Sequence, residues 1–191
     1  HAQRIAAVEN LAGVYSTHLD DMADLITAQM GSPRSFSRLG QAAGAASMMH
    51  LAAQEARKYP WAERRHGILG EVHLRRVPVG VVGIIIPWNV PQNLLMPKLI
   101  PALIAGCTVV VKPAEETPGV CVGVIRAFID AGLPNGVINM LFGEPSQVSD
   151  RLIASPITRK VSFTGSVSVG RLLSTLAAKQ LKPVTMELGG H

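Results

Sequence analysis

Aromatic side chains are scarce in this chain: two Trp, two Tyr and four Phe make up 4% of 191 residues. Hydrophobic residues nevertheless reach 48%, which excludes a disordered chain. The core has to be built from Ala, Val, Ile and Leu, a composition that suits helices packed on a buried sheet. Cysteine is nearly absent. Cys107 and Cys121 stand without a Cys-x-x-Cys or His-x-x-x-His companion, so no metal site is expected. The low count fits a reducing, cytoplasmic compartment. The first residues, with Arg4 and Glu9 on a helical pattern, lack the layout of a signal peptide. A basic block is also missing. Nine of the 18 Lys and Arg precede Val77 and nine follow it, and Tyr15, Tyr59, Trp61 and Trp88 are not interleaved with them. A nucleic-acid partner is therefore not expected, and the net charge of +5 suits an anionic cofactor or a solvated surface equally. Residues 77–97 carry no charge, but Pro78, Pro87, Pro91 and Pro97 interrupt them. They read as a soluble strand followed by a helix, not as a membrane span.

Three regions follow one another. Residues 1–60 read as helices: Ile5, Val8, Leu11 and Ala12 mark one apolar face, and Leu19, Met22, Ala23, Ile26 and Met30 a second. Gly31 stops the second helix, and Tyr59-Pro60 ends a third run that begins near Phe36. Residues 61–78 read as an exposed hairpin, with Gly67 and Gly70 bracketing its turn and Glu71-Val72-His73-Leu74-Arg75 alternating polar and apolar. From 79 to 191 strands and helices alternate. Strands are expected at Val81–Ile86, Thr108–Val111, Val137–Leu141, Lys160–Phe163 and Pro183–Glu187. Helices are expected at Leu94–Ala105, Pro118–Ala131, Gln147–Ala154 and Ser168–Gln180. Strands apolar throughout are buried on both faces. The fold expected is α/β: a Rossmann-like open parallel sheet of about five strands with helices on both faces, preceded by helices and a projecting hairpin. Ligands in such a sheet bind at the carboxyl ends of the strands.

The chemistry-bearing residues all fall at those ends. Pro87-Trp88-Asn89 follows the first strand, where a Gly-x-Gly-x-x-Gly fingerprint would stand in a standard dinucleotide fold and does not. Asn89 can donate to a developing oxyanion, or it can simply be a turn residue between prolines. Lys112 and Glu115 follow the second strand and read as a surface ion pair or as partners of ribose hydroxyls; a carboxylate there repels a 2′-phosphate. Gly143 follows the third strand, with Pro145 stiffening the loop after it. Gly165 and Ser166 open the helix after the fourth, a place for a pyrophosphate or for a capping serine. Glu187 closes the fifth, ahead of Gly189-Gly190, which let the backbone turn. Cys107 precedes a strand on the opposite side and Cys121 lies within a helix, both placed as small core residues.

Taken in order, Pro87-Trp88-Asn89-Val90-Pro91, Lys112-Pro113-Ala114-Glu115, Phe163-Thr164-Gly165-Ser166 and Met186-Glu187-Leu188-Gly189-Gly190 resemble the aldehyde dehydrogenase superfamily. The resemblance covers residues from about Pro78 to His191. It implies an NAD cofactor, with NADP possible, bound by Pro87, Trp88, Lys112, Glu115, Gly143, Gly165 and Ser166. It implies that Asn89 helps hold an oxyanion and that Glu187 activates the water that hydrolyses a thioester. It implies an aldehyde substrate, and for the hairpin a part in a homo-oligomer, a dimer or tetramer. In the family the nucleophilic cysteine comes after Glu-Leu-Gly-Gly, so residues 1–191 alone are expected to be inactive. Two other readings remain: an acyl-CoA or acyl-phosphate reductase of the same superfamily, against which Glu187 weighs, and a non-catalytic nucleotide- or partner-binding domain.

Overall fold

A computed structural model describes residues 1–189 of the chain. Helix α1 (Ala2–Ser16) and helix α2 (Leu19–Met30) come first. Gly31 ends α2 in the left-handed conformation (φ 77°). A continuous helical run then passes from α3 (Arg34–Phe36) through a π-helical segment (Ser37–Ala42) into α4 (Ala43–Lys58). The Phe36 ring lies over Gly40 in that segment, and a Cβ on Gly40 would come within 2.6 Å of it. Tyr59 leaves α4 in an extended conformation, as the proline after it requires.

Strands β1 (Ala62–Gly67) and β2 (Gly70–Arg75) form an antiparallel hairpin, in register from Ala62 opposite Arg75 to Gly67 opposite Gly70. Its tip residues Ile68 and Leu69 are fully exposed.

The sheet proper has five strands, all parallel: β3 (Val81–Ile85), β4 (Thr108–Lys112), β5 (Ile138–Met140), β6 (Thr158–Gly165) and β7 (Val184–Leu188). Their spatial order is β5-β4-β3-β6-β7. The chain moves outward from β3 to β5, then returns to place β6 on the other side of β3. The connections are α5 (Pro91–Ala105), α6 (Pro118–Asp130), α7 (Pro145–Ala154) and α8 (Val167–Ala178). Right-handed crossovers to opposite sides put helices on opposite faces. Accordingly α5 and α6, with α1, α2 and α4, bury one large apolar cluster around Leu95, Leu99, Val109 and Phe128, while α7 and α8 cover Ile85, Val161 and Phe163 on the other face. The order reverses between β3 and β6, and this is the switch point at which a doubly wound sheet opens a crevice.

Two helices begin at a proline ahead of where the sequence pattern places them. Helix α5 starts at Pro91 and α7 at Pro145. Proline lacks an N–H, but the first turn of a helix has no intrahelical use for one, and its fixed φ suits that turn. Pro145 therefore opens a helix; it is not part of the loop. Among the described residues, no helix is long and apolar enough to cross a membrane.

Candidate active site

The carboxyl edge of the sheet gathers the sequence-predicted residues. Pro87, Trp88 and Asn89 leave β3, with Pro87 half-buried and Trp88 and Asn89 exposed. Gly165 and Ser166 leave β6 across the switch point, since β3 and β6 are neighbours in register from Gly83–Val161 to Ile85–Phe163. Lys112 ends β4, Glu115 stands three residues on, and Glu187 sits one residue before the end of β7. Gly143 lies beyond β5 at the far side of the sheet, with φ 140°, a conformation glycine adopts readily, and opens the way into α7. The described residues thus bring all nine positions to one edge. Gly189 continues the ladder, its N–H donating to Gly165 O at 3.3 Å; the turn expected at Gly190 lies outside the described residues.

Lys112 is 4% exposed, and its ammonium donates to Glu115 Oε1 at 2.5 Å. Burying an ammonium without a partner is costly, so Glu115, exposed at the surface, fixes where Lys112 points. Its second carboxylate oxygen is left to accept from a neighbouring hydroxyl. Ser166 caps α8: its Oγ accepts from Val169 N at 3.3 Å. The remaining N–H groups of this first turn face the edge with the positive end of the helix dipole behind them. Gly170, one turn further, lets α8 close on β7, because a Cβ there would collide with Leu188.

Glu187 has two partners. Lys98 Nζ lies 3.0 Å from Glu187 Oε2, and Thr164 Oγ1 donates to the same oxygen at 2.9 Å. The Lys98 side chain is 3% exposed; among the described residues its ammonium has this ion pair and no well-aligned hydrogen bond. The Lys98 ammonium, with help from Thr164, holds the Glu187 carboxyl below the usual carboxylate range against an opposing desolvation. Glu187 is therefore an anion near neutrality, a weaker base than a free carboxylate, and tethered by a buried cation.

Lys98 was not among the residues singled out from the sequence, and Thr164 stood there only within the Phe163-Thr164-Gly165-Ser166 segment, with no role assigned to it. Lys98 carried a signal: it is the lone charge in Leu94–Ala105, and a cation on an otherwise apolar helix needs a partner. The contact of Thr164 with Glu187 had none, because it depends on the β6–β7 register that sets the two opposite each other. The two cysteines lie away from this edge. Cys107 is buried ahead of β4, at the opposite end of the sheet, and Cys121 is buried in α6, where desolvation pushes its thiol up to about 12.

A family model described as "Aldehyde dehydrogenase family" matches residues 1–191. A probable NADP(+) succinate-semialdehyde dehydrogenase of Sinorhizobium fredii is 40% identical over 186 residues, 91% of this chain and 36% of that protein. An NADP(+) succinate-semialdehyde dehydrogenase of Escherichia coli is 36% identical, over 99% of this chain and 39% of its own length. Among solved structures, an aldehyde dehydrogenase from Bartonella henselae superposes with a TM-score of 0.95 at 35% identity, covering 99% of this chain and 40% of that one. An NAD-dependent aldehyde dehydrogenase from Sinorhizobium meliloti gives 0.93 at 34% identity, with 99% and 38% covered. The chain thus spans about two fifths of the length of these relatives.

Proposed function

The chain belongs to the aldehyde dehydrogenase family, and on that premise we propose that the whole protein oxidises an aldehyde to a carboxylic acid with NAD, through a thioester on a cysteine outside residues 1–191. The observation that carries this reading is the convergence of the β3, β4, β6 and β7 ends on one edge beside the switch point. The residues there fit a dinucleotide. The α8 N-terminus offers N–H donors for a pyrophosphate. Lys112 and Glu115 offer a donor and an acceptor three residues apart for ribose hydroxyls. Bound there, NAD would supply the hydride acceptor.

The remaining work belongs to this chain's own side chains. Asn89 Nδ2 donates to the aldehyde oxygen as negative charge develops on it, where such a donor acts most strongly. Glu187, ionised and held by Lys98 and Thr164, accepts a proton from the water that attacks the thioester. Glu115 accepts from the ribose 2′-hydroxyl and repels a 2′-phosphate, the basis for NAD over NADP. The hairpin, with Ile68 and Leu69 exposed at its tip, serves as a contact between subunits of a homo-oligomer.

The test is the rate of reduced-cofactor formation at 340 nm by the full-length protein over a panel of aldehydes, with NAD and with NADP. Turnover with NAD in the absence of coenzyme A and phosphate is expected. Turnover only in the presence of coenzyme A or phosphate points to an acyl-CoA or acyl-phosphate enzyme, and cofactor binding without any turnover to a nucleotide-binding domain.

A further inference from the structure

We infer that Tyr15 and Gln92, a buried hydrogen-bonded pair from α1 and α5, hold the first turn of α5 and with it the Pro87–Val90 loop, and so act as positioning residues for Asn89. The inference rests on the reading of Asn89 as an oxyanion donor.

Helix α5 is weakly secured by its own backbone where it begins. Its N-cap is Val90, which has no side-chain oxygen to cap with, and Pro91 follows. Pro97 and Pro101 stand inside the helix. Each lacks the N–H that would bond four residues back, to the carbonyls of Asn93 and Pro97. The backbone bond across the junction between loop and helix is Leu94 N to Val90 O at 3.0 Å.

Side chains supply the hold that the backbone lacks. Gln92 is fully buried, and its Oε1 accepts from the hydroxyl of Tyr15, which is also fully buried. Gln92 Nε2 faces Met22 Sδ of α2 at 3.3 Å. The next residue ties the turn in another direction: Asn93 Nδ2 donates to Gly40 O, in the π-helical segment, at 3.1 Å. A turn held at one point can still rotate about it, whereas two consecutive amides bound to different helices define its azimuth. Tyr15 remains a donor across the working pH range, because burial pushes its phenol up. The pair lies within the larger apolar cluster of the protein. Apolar side chains of the same size would fill that space, but they would not impose a direction. Asn89 stands three residues before Gln92 and is exposed, so its position is set by the backbone that carries it. A donor acting on a developing oxyanion is sensitive to shifts below an ångström.

The experiment uses the full-length protein and reads the pre-steady-state rate of NADH formation, the dissociation constant for NAD and the thermal midpoint. Asn89→Ala is expected to slow the burst on the order of 100-fold. Tyr15→Phe is expected to slow it roughly tenfold with the NAD dissociation constant unchanged, and to add nothing when combined with Asn89→Ala. Tyr15→Phe/Gln92→Leu satisfies both partners with apolar groups, so it is expected to regain the midpoint while the burst stays slow. Gln92→Met gives the same test from the other end should Tyr15→Phe fold poorly. If Tyr15→Phe/Gln92→Leu regains the wild-type burst together with its stability, the pair only packs and the inference is wrong. If Tyr15→Phe slows the Asn89→Ala protein as much as the wild type, the pair does not act through Asn89. A full burst in Asn89→Ala removes the oxyanion reading and this inference with it. A slow burst there with a full burst in both Tyr15→Phe and Gln92→Met removes this inference alone.

Discussion

In the proposed reading, the Lys112–Glu115 pair carries a choice of cofactor in a single contact. Glu115 Oε1 is held by the buried Lys112 at 2.5 Å, so the carboxylate is oriented before any ligand arrives. Glu115→Gln removes the charge and keeps the shape. It is expected to weaken NAD modestly and to strengthen NADP, moving the ratio of the two dissociation constants by roughly tenfold or more, since a hydrogen bond to a charged group is worth about 1.5–3 kcal/mol. An unchanged ratio would take Glu115 away from the ribose. The relatives include both NADP(+) and NAD enzymes, so this residue-level measurement decides for this chain. Glu187→Gln in the full-length protein is expected to leave the NADH burst and slow the steady state that follows, because acylation does not need the base and deacylation does. An unchanged steady-state rate would exclude Glu187 as the base. Lys98→Met should move the acid limb of that steady state to higher pH, since Lys98 is the first cause of the lowered Glu187 carboxyl.

At the scale of elements, the strand–helix alternation was legible because the central strands β3 and β4 carry short apolar runs and several helices have a stop or start residue the chain shows openly, such as Gly106 in the left-handed conformation after α5. The edge strands β5 and β7 are partly polar and not buried on both faces as expected, because an edge strand lacks a neighbour to cover it. The helix starts at Pro91 and Pro145 were less legible, because a proline marks a turn and a first helical turn equally well. The π-helical segment at Ser37–Ala42 left no compositional trace, since it is a slip in hydrogen-bond register and not a change of residue type. The site divided in the same way. Residues that follow strands could be placed from their position in the chain, whereas Thr164 and Tyr15 act through partners 23 and 77 residues away. The α8 N-terminus allows a test of placement at this scale. Ser166→Asp keeps a capping oxygen and adds a negative charge that favours the helix N-terminus, so the thermal midpoint should hold or rise. The same charge repels a pyrophosphate, and NAD affinity should fall by about tenfold or more. Retained affinity would move the pyrophosphate away from α8.

For the molecule as a whole, buried and paired ionisable groups set a pH window for stability that can be measured without any substrate. Three carboxyls are held below their ordinary values: Glu187 by Lys98, Glu63 by Arg65 and Arg76, and Asp20 by Arg38 and Arg34. A carboxyl with a lowered value in the folded state contributes stability above its unfolded value, 4.5 for Glu and 3.8 for Asp, and loses it as pH falls through the folded value. The midpoint should therefore drop on the acid side below about pH 5. On the alkaline side the sign reverses. Burial raises the Cys121 thiol from 9.0 to about 12, so its contribution is whole below pH 9 and is lost as pH rises, because the unfolded thiol ionises first. The slope of that loss approaches about 1.4 kcal/mol per pH unit for one proton. Tyr15, also raised by burial, adds to it above its ordinary value of 10.0. Lys182, lowered by burial and by Arg159, acts in the opposite sense, so the informative quantity is a difference. Thermal midpoints of wild type and Cys121→Ala are to be followed from pH 7 to 10. The variant starts lower, since a buried side chain has been shortened, but it should lose less between pH 9 and 10, and the two curves should converge. Parallel curves would mean that Cys121 is as accessible to water in the folded protein as in the unfolded chain, which its complete burial against α6's neighbours rules against.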